Sequence, residues 1–271
     1  MNRVSSRDFR VATERGELFA RRWDAAAGPL RQRSPIILFH DSLGCVELWR
    51  EFPETLALAT GRSVLAYDRL GFGRSDPHPG RLEQDFIRDE AATAVQALRR
   101  QLGIGRFIAF GHSVGGGMAA VAAGRYAGDC EALVTEAAQV FVEDRTVQGI
   151  VAARDNFAQP GQMERLRRYH GDKADWVLGA WVGTWLSPRF ADWSLVPDLR
   201  QVRCPVLAIH GENDEFGSIR HPQAIAGNVA GPAALRILAG CGHVPHREMG
   251  GVVLDEVAGW LAGLPPLHAA V

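Results

Sequence analysis

Lysine is almost absent from this chain: Lys173 is the only one, and the rest of its 30 basic side chains are arginine. The imbalance reads first as a coding bias. There is no surplus of charge of either sign, since 30 basic and 31 acidic residues leave a formal net charge of −1. Nucleic acid and anionic membranes both demand a basic surplus, so neither is expected as a partner. Cysteine is scarce as well. Cys45, Cys130, Cys204 and Cys241 are widely spaced and form no Cys-x-x-Cys pair. That argues against a zinc site and a disulfide framework, and for reduced thiols in the cytoplasm. No apolar run approaches the roughly 18 residues of a transmembrane helix. The opening Met1-Asn2-Arg3-Val4-Ser5-Ser6-Arg7-Asp8 offers no apolar stretch for a signal peptide. The expected location is cytoplasmic.

What the chain does have is 271 residues, 46% of them hydrophobic, enough for one sizeable core. Short runs at Phe9 to Thr13 and Glu17 to Trp23 flank Arg15-Gly16 and predict an antiparallel opening hairpin. Short, nearly continuous apolar strands follow at Pro35 to Phe39, Ser63 to Tyr67, Arg106 to Phe110, Ala132 to Thr135, Val206 to Ile209 and Leu235 to Leu238. Runs of that kind suit a parallel sheet buried on both faces. Between two of them Ile87, Ala91, Val95, Leu98 and Leu102 fall on one helical face. The alternation predicts an α/β fold: a mostly parallel sheet with helices on both sides.

The pattern breaks once, from about residue 141 to 199, where only helical periodicities appear, around Thr146 to Phe157, Met163 to Tyr169 and Ala174 to Leu186. Trp176, Trp181, Trp185 and Trp193, four of the seven tryptophans, lie in this stretch. A helical excursion of this length predicts a cap over the carboxyl edge of the sheet, where ligands bind in such folds. A plain helical appendage is the alternative. In either case residues 1–271 are expected to form a single domain.

Gly111-His112-Ser113-Val114-Gly115 joins a strand directly to a small-residue helix, Met118 to Ala123. A serine on so sharp a turn needs tiny neighbours, and Gly111 and Gly115 to Gly117 supply them. The turn puts the Val114 amide at a helix N-terminus, where it can donate to a developing oxyanion. With this elbow in view, the chain resembles the α/β-hydrolase superfamily over nearly its whole length. Asp68-Arg69-Leu70-Gly71-Phe72-Gly73-Arg74-Ser75 matches that superfamily's Asp-x-x-Gly-x-Gly-x-Ser loop, a structural turn.

The resemblance implies a serine nucleophile at Ser113, a base at His243 in Gly240-Cys241-Gly242-His243, and an acid at Asp214 in Gly211-Glu212-Asn213-Asp214. Their chain order, Ser, Asp, His, is that of the fold. His246 is the rival base, and Glu215 and Glu136 are rival acids. His112 is expected to pack and His40 to anchor a loop. The second oxyanion donor should come from His40-Asp41-Ser42-Leu43-Gly44, where many relatives carry His-Gly. The Ser42 amide is the candidate, with Leu43 as the alternative, and Asp41 is expected to turn into its own loop. This loop is similar to the Asn-Ser-Leu-Gly loop of enol-lactone hydrolases, as is Trp185-Leu186-Ser187-Pro188-Arg189-Phe190 to a cap motif of that branch. Leu43, Trp181, Trp185 and Val244 are candidates for touching substrate.

The implied reaction is hydrolysis of an ester or lactone through an acyl-enzyme, with no metal or organic cofactor and a small-molecule substrate as partner. The alternatives are a carbon–carbon bond hydrolase, a hydroxynitrile lyase or a cofactor-independent dioxygenase on the same fold, or a ligand-binding protein. Lyases of that type use a cap lysine, but Gly171-Asp172-Lys173-Ala174-Asp175 reads as an exposed turn. Oligomeric state is not readable from the sequence.

Overall fold

A computed structural model describes residues 4–25 and 33–265; Met1 to Arg3 of the opening segment lie outside them. The hairpin is β1 (Val4–Thr13) and β2 (Gly16–Ala25), paired antiparallel. Next come β3 (Ile36–Phe39), β4 (Val64–Tyr67), β5 (Phe107–His112), β6 (Cys130–Glu136), β7 (Val206–Gly211) and β8 (Ala233–Leu238). They form one eight-stranded sheet in the order β1-β2-β4-β3-β5-β6-β7-β8. From β4 to β8 every pairing is parallel.

Each parallel strand feeds two cores because successive side chains point to opposite faces. Ile37, Phe39, Leu65, Tyr67, Ala109 and Val206 face one core; Ile36, Leu38, Val64, Ala66, Ile108 and Leu207 face the other. The second core is closed by α1 (Phe52–Thr60), through Leu56 and Ala57, and by the C-terminal helix Gly250–Ala262, through Val253 and Val257. The first is closed by α2 (Phe86–Ala92), α3 (Ala94–Gln101) and α4 (Val114–Arg125). This is the sheet, with helices on both faces, that the sequence predicted.

The single helix expected from Ile87 to Leu102 is kinked at Thr93, where φ is −111° and ψ −76°. Thr93 Oγ1 donates to the Asp89 carbonyl (2.7 Å), and the Tyr126 hydroxyl donates to the Ala91 carbonyl (2.9 Å). Side chains that bond into the carbonyl ladder bend a helix there. The apolar face continues through the kink, with Ile87, Ala91, Val95 and Leu98 all buried.

Between β6 and β7 the chain forms α5 (Asp144–Phe157), α6 (Gln162–His170) and α7 (Ala174–Trp185). Lys173, expected in an exposed turn, is instead half-buried. Its ammonium donates to the carbonyls of Gly73 (2.8 Å) and Ser75 (2.7 Å). Those carbonyls belong to a loop that turns through left-handed glycines, Gly71 at φ 90° and Gly73 at φ 45°. Asp68 ties the loop together, accepting from the amides of Val46 (2.6 Å) and Arg74 (2.7 Å). No helix among the described residues is long and apolar enough to cross a membrane.

Candidate active site

Ser113 sits at φ 56° and ψ −127°, between β5 and α4, a conformation few non-glycine residues adopt. The neighbours explain why it is tolerated. A Cβ at Gly111 would run into the Gly115 carbonyl, one at Gly115 into the Phe39 carbonyl, and one at Gly116 into Ala138. The glycines let strand, helix and the β3 loop approach closely, and the strain raises the Ser113 hydroxyl at the carboxyl edge of the sheet.

Three elements meet there. His243 Nε2 is 3.0 Å from Ser113 Oγ, and His243 Nδ1 is 2.9 Å from both carboxylate oxygens of Asp214. Asp214 is fully buried just beyond β7. Its Oδ1 also accepts from the amides of Phe216 (2.8 Å) and Gly217 (3.1 Å), which locks the carboxylate in place. Arg145 of α5 donates to the Asp214 carbonyl (2.9 Å) and Thr146 to that of Phe216 (2.7 Å). The inserted helices thus hold the acid's loop from above.

Burial pushes the His243 imidazole down, but the hydrogen bond and charge of Asp214 outweigh it, and the net shift is upward from the ordinary 6.5. For Asp214, burial works upward and is outweighed by the His243 hydrogen bond and charge, so its carboxyl is held below its usual value. The two shifts agree: this pair favours an ionised carboxylate beside an imidazole that accepts a proton readily.

The rival residues are placed elsewhere. His246 bonds Glu136 through Nδ1 (2.7 Å) and packs on Trp49, with ring centroids 4.7 Å apart. Glu136 is thereby engaged away from His243. His112 is buried and its Nε2 donates to the His243 carbonyl (2.8 Å), so it supports the loop that presents His243. His112, Glu136 and His246 are also the group of described residues nearest to a metal-ligand set, with ligand atoms within 4.8 Å of one another. His40 anchors its loop as expected: its Nδ1 bonds the Asp41 carbonyl (2.8 Å) and its Nε2 accepts from the Arg69 amide (3.1 Å).

Asp41 also turns into its own loop. Its Oδ1 accepts from the Leu43 amide (3.1 Å), so that amide is engaged within the loop. His170 of α6, which sequence reasoning missed, steadies this loop: Nδ1 accepts from the Gly73 amide (2.9 Å) and Nε2 donates to the Leu43 carbonyl (3.0 Å).

Beside Ser113 lies a cavity of about 160 Å³. Every residue expected to touch substrate, Leu43, Trp181, Trp185 and Val244, lines it, together with Ser42 and His243. Sequence reasoning missed Gln139, Thr146, Ile150 and Phe216, which line it too. None of them belongs to a motif; only the position of Gln139, just past the end of β6, was a usable signal.

The two cavity tryptophans of α7 differ. Trp185 is buried and packs edge-on against Phe190 (5.2 Å) and Trp193 (5.6 Å). Trp181 is only half-buried and approaches Phe216 at 5.8 Å. Trp185→Ala is therefore expected to cost about 3–5 kcal/mol of stability, while Trp181→Ala changes the ranking of substrates with a smaller loss of stability. Denaturant melts and a substrate panel on both variants check this; equal destabilisation with unchanged ranking would contradict it.

The α/β-hydrolase fold family model matches residues 34–180, more than half of the chain. A (lyso)-N-acylphosphatidylethanolamine lipase of Bos taurus is 35% identical over 98 residues, covering 36% of this chain and 28% of that protein. A 1-acylglycerol-3-phosphate O-acyltransferase of Homo sapiens is 31% identical over 98 residues, covering 36% of this chain and 27% of that one. The chain thus spans under a third of the length of these curated relatives. Among solved structures, a bacterial membrane phospholipase A superposes with a TM-score of 0.74 at 18% identity, covering 96% of this chain and 86% of that one. The enol-lactonase of Burkholderia xenovorans gives 0.70 at 24% identity, covering 93% and 99%. At such identities these likenesses show the fold alone. With the matched family model and the eight-stranded sheet they leave one assignment: the chain belongs to the α/β-hydrolase fold family.

Proposed function

We propose that this chain is a serine hydrolase that cleaves a carboxylic ester or lactone through an acyl-enzyme. The observation that carries the reading is the chain of contacts from Ser113 Oγ to His243 to Asp214 at the mouth of an apolar cavity. Ser113 Oγ attacks the scissile carbonyl while His243 Nε2 takes its proton. The amides of Val114, at the start of α4, and of Ser42 receive the oxyanion. Collapse of the tetrahedral intermediate breaks the carbon–oxygen bond, and His243 returns the proton to the departing alcohol. Water, deprotonated by His243, then attacks the acyl-enzyme and releases the acid. Helices α5 to α7 act as a lid, contributing Thr146, Ile150, Trp181 and Trp185 to the cavity. The partner is a small-molecule substrate. The lyase alternative is disfavoured because the Lys173 ammonium is held by two loop carbonyls and does not line the cavity.

A panel of aryl esters of increasing acyl length, run beside lactones, enol lactones and amides, tests the reading. Turnover of esters or lactones that is lost on modifying Ser113 supports it; turnover of none, with cleavage of a carbon–carbon bond instead, would overturn it.

The base must be neutral to act, so kcat/KM is expected to rise with pH and then level off. Because the His243 pKa is shifted upward, the half-maximum should fall above 6.5. A rate profile from about pH 5 to about pH 9 checks this. A flat profile, or a midpoint below 6.5, would show that His243 is not the base in this form.

A further inference from the structure

The cavity beside Ser113 has a chemical bias. Leu43, Ile150, Trp181, Trp185, Phe216 and Val244 give it apolar walls. Its fixed charge is the Asp41 carboxylate, and neither lysine nor arginine is among the residues lining it. Gln139 is one of the polar residues of the lining and stands beside Ser113. It is 4% exposed, and its Oε1 lies 3.2 Å from Ser113 Oγ. Two acceptors, Gln139 Oε1 and His243 Nε2, therefore stand around one hydroxyl proton. Turning the amide over removes the competition: the Gln139 N–H then donates to Oγ and the hydroxyl proton goes to His243. In either orientation the Gln139 nitrogen keeps at least one N–H beyond its contact with Oγ, and no other hydrogen bond from that nitrogen is made among the described residues. That N–H is available to donate to a ligand in the cavity that Gln139 lines.

The backbone is bent to deliver this side chain. Ala137 sits at φ 48°, a left-handed conformation unfavourable for alanine, directly after β6. Ala138 then packs on Gly116 of the elbow helix, which brings Gln139 over the nucleophile. Strain of this kind persists where the surroundings enforce it, and it gathers at sites that bind or react.

We propose that the cavity takes an uncharged acyl group about the size of one aromatic ring, bearing a hydrogen-bonding oxygen next to the scissile carbonyl, which Gln139 recognises. The inference rests on the ester-hydrolase reading and narrows its substrate. The size follows from the volume: about 160 Å³ is close to an apolar cavity known to hold one benzene. The charge follows from Asp41, which would oppose a substrate carboxylate that no cation in the lining offsets. The position of the oxygen follows from Gln139 touching Oγ. In the acyl-enzyme that links the two half-reactions the acyl carbon is bonded to Oγ, which places an oxygen on the neighbouring carbon within reach of the amide.

The test uses p-nitrophenyl esters with one leaving group: phenylacetate, its α-methoxy analogue, a phenylacetate with a ring carboxylate, and palmitate. Intrinsic reactivity cancels when each kcat/KM is compared between the wild-type protein and Gln139→Leu. The variant is expected to lose about tenfold or more on the α-methoxy ester relative to phenylacetate, because an apolar side chain cannot hold the oxygen. The isosteric Gln139→Glu should lose the same preference, since an acceptor then faces an acceptor. The ring carboxylate and palmitate are expected to be at least about tenfold poorer substrates than phenylacetate for the wild-type protein. Equal losses on both neutral esters in the two variants, or a carboxylate or palmitate ester turned over as well as phenylacetate, would overturn the inference and leave the hydrolase reading intact. No turnover of any ester, with no labelling of Ser113, would overturn that reading and the inference with it.

Discussion

Replacing Ser113 with alanine is expected to lower kcat by at least about 10³-fold while the protein stays folded. The loss should be large because the hydroxyl stands 3.0 Å from His243 Nε2 at the edge of the cavity, placed for covalent attack. What survives would come from the amides of Ser42 and Val114 and from binding alone. The fold should tolerate the change, since alanine removes one oxygen and keeps the Cβ that the strained turn already accommodates. Steady-state rates on a small aryl ester, beside a denaturant melt, make the comparison. Esterase activity kept within about tenfold of the parent would move the nucleophile elsewhere.

Asp214→Asn is expected to cost about 10³ to 10⁴ in kcat. The asparagine oxygen can still accept the bonds from the Phe216 and Gly217 amides that Asp214 Oδ1 now takes, so the loop should hold its shape. Its NH₂ group would then face His243 Nδ1. A donor there favours the tautomer with the proton on Nε2, the atom that has to accept the proton of Ser113. The variant should also lose the upward shift of the His243 pKa, because that shift depends on the Asp214 hydrogen bond and charge opposing burial. A loss under about tenfold would transfer the acid role to another carboxylate; Glu136, bonded to His246, is a buried one at this edge of the sheet.

The legible part of this molecule is the part whose residues obey local rules. Apolar runs such as Ile36 to Phe39 and Val206 to Ile209 announce strands because every position in them is buried. The elbow around Ser113 was readable because steric crowding admits only glycine at Gly111 and Gly115. His243 and Asp214 were readable by their positions after strands, although local pattern alone could not separate them from His246 and Glu136. Only three-dimensional placement does that, since both imidazole–carboxylate pairs lie at the same edge and differ in which one reaches Oγ. The kink at Thr93 was hidden because it depends on the Tyr126 hydroxyl, which is distant in sequence. The contact of Lys173 with Gly73 and Ser75 was hidden for the same reason. Gln139 carries no motif at all. Its importance follows from the bend at Ala137 and the packing of Ala138 on Gly116, neither of which leaves a periodic trace.

The most direct measurement is covalent labelling of the native protein with a fluorophosphonate, followed by peptide mass spectrometry to find the modified residue. The expected result is one adduct per chain, on Ser113, absent after denaturation and from Ser113→Ala, and sharply reduced in His243→Gln. An adduct on another residue, or ester hydrolysis proceeding at full rate in a protein that takes no label, would contradict the assignment of Ser113, His243 and Asp214 as the reacting group.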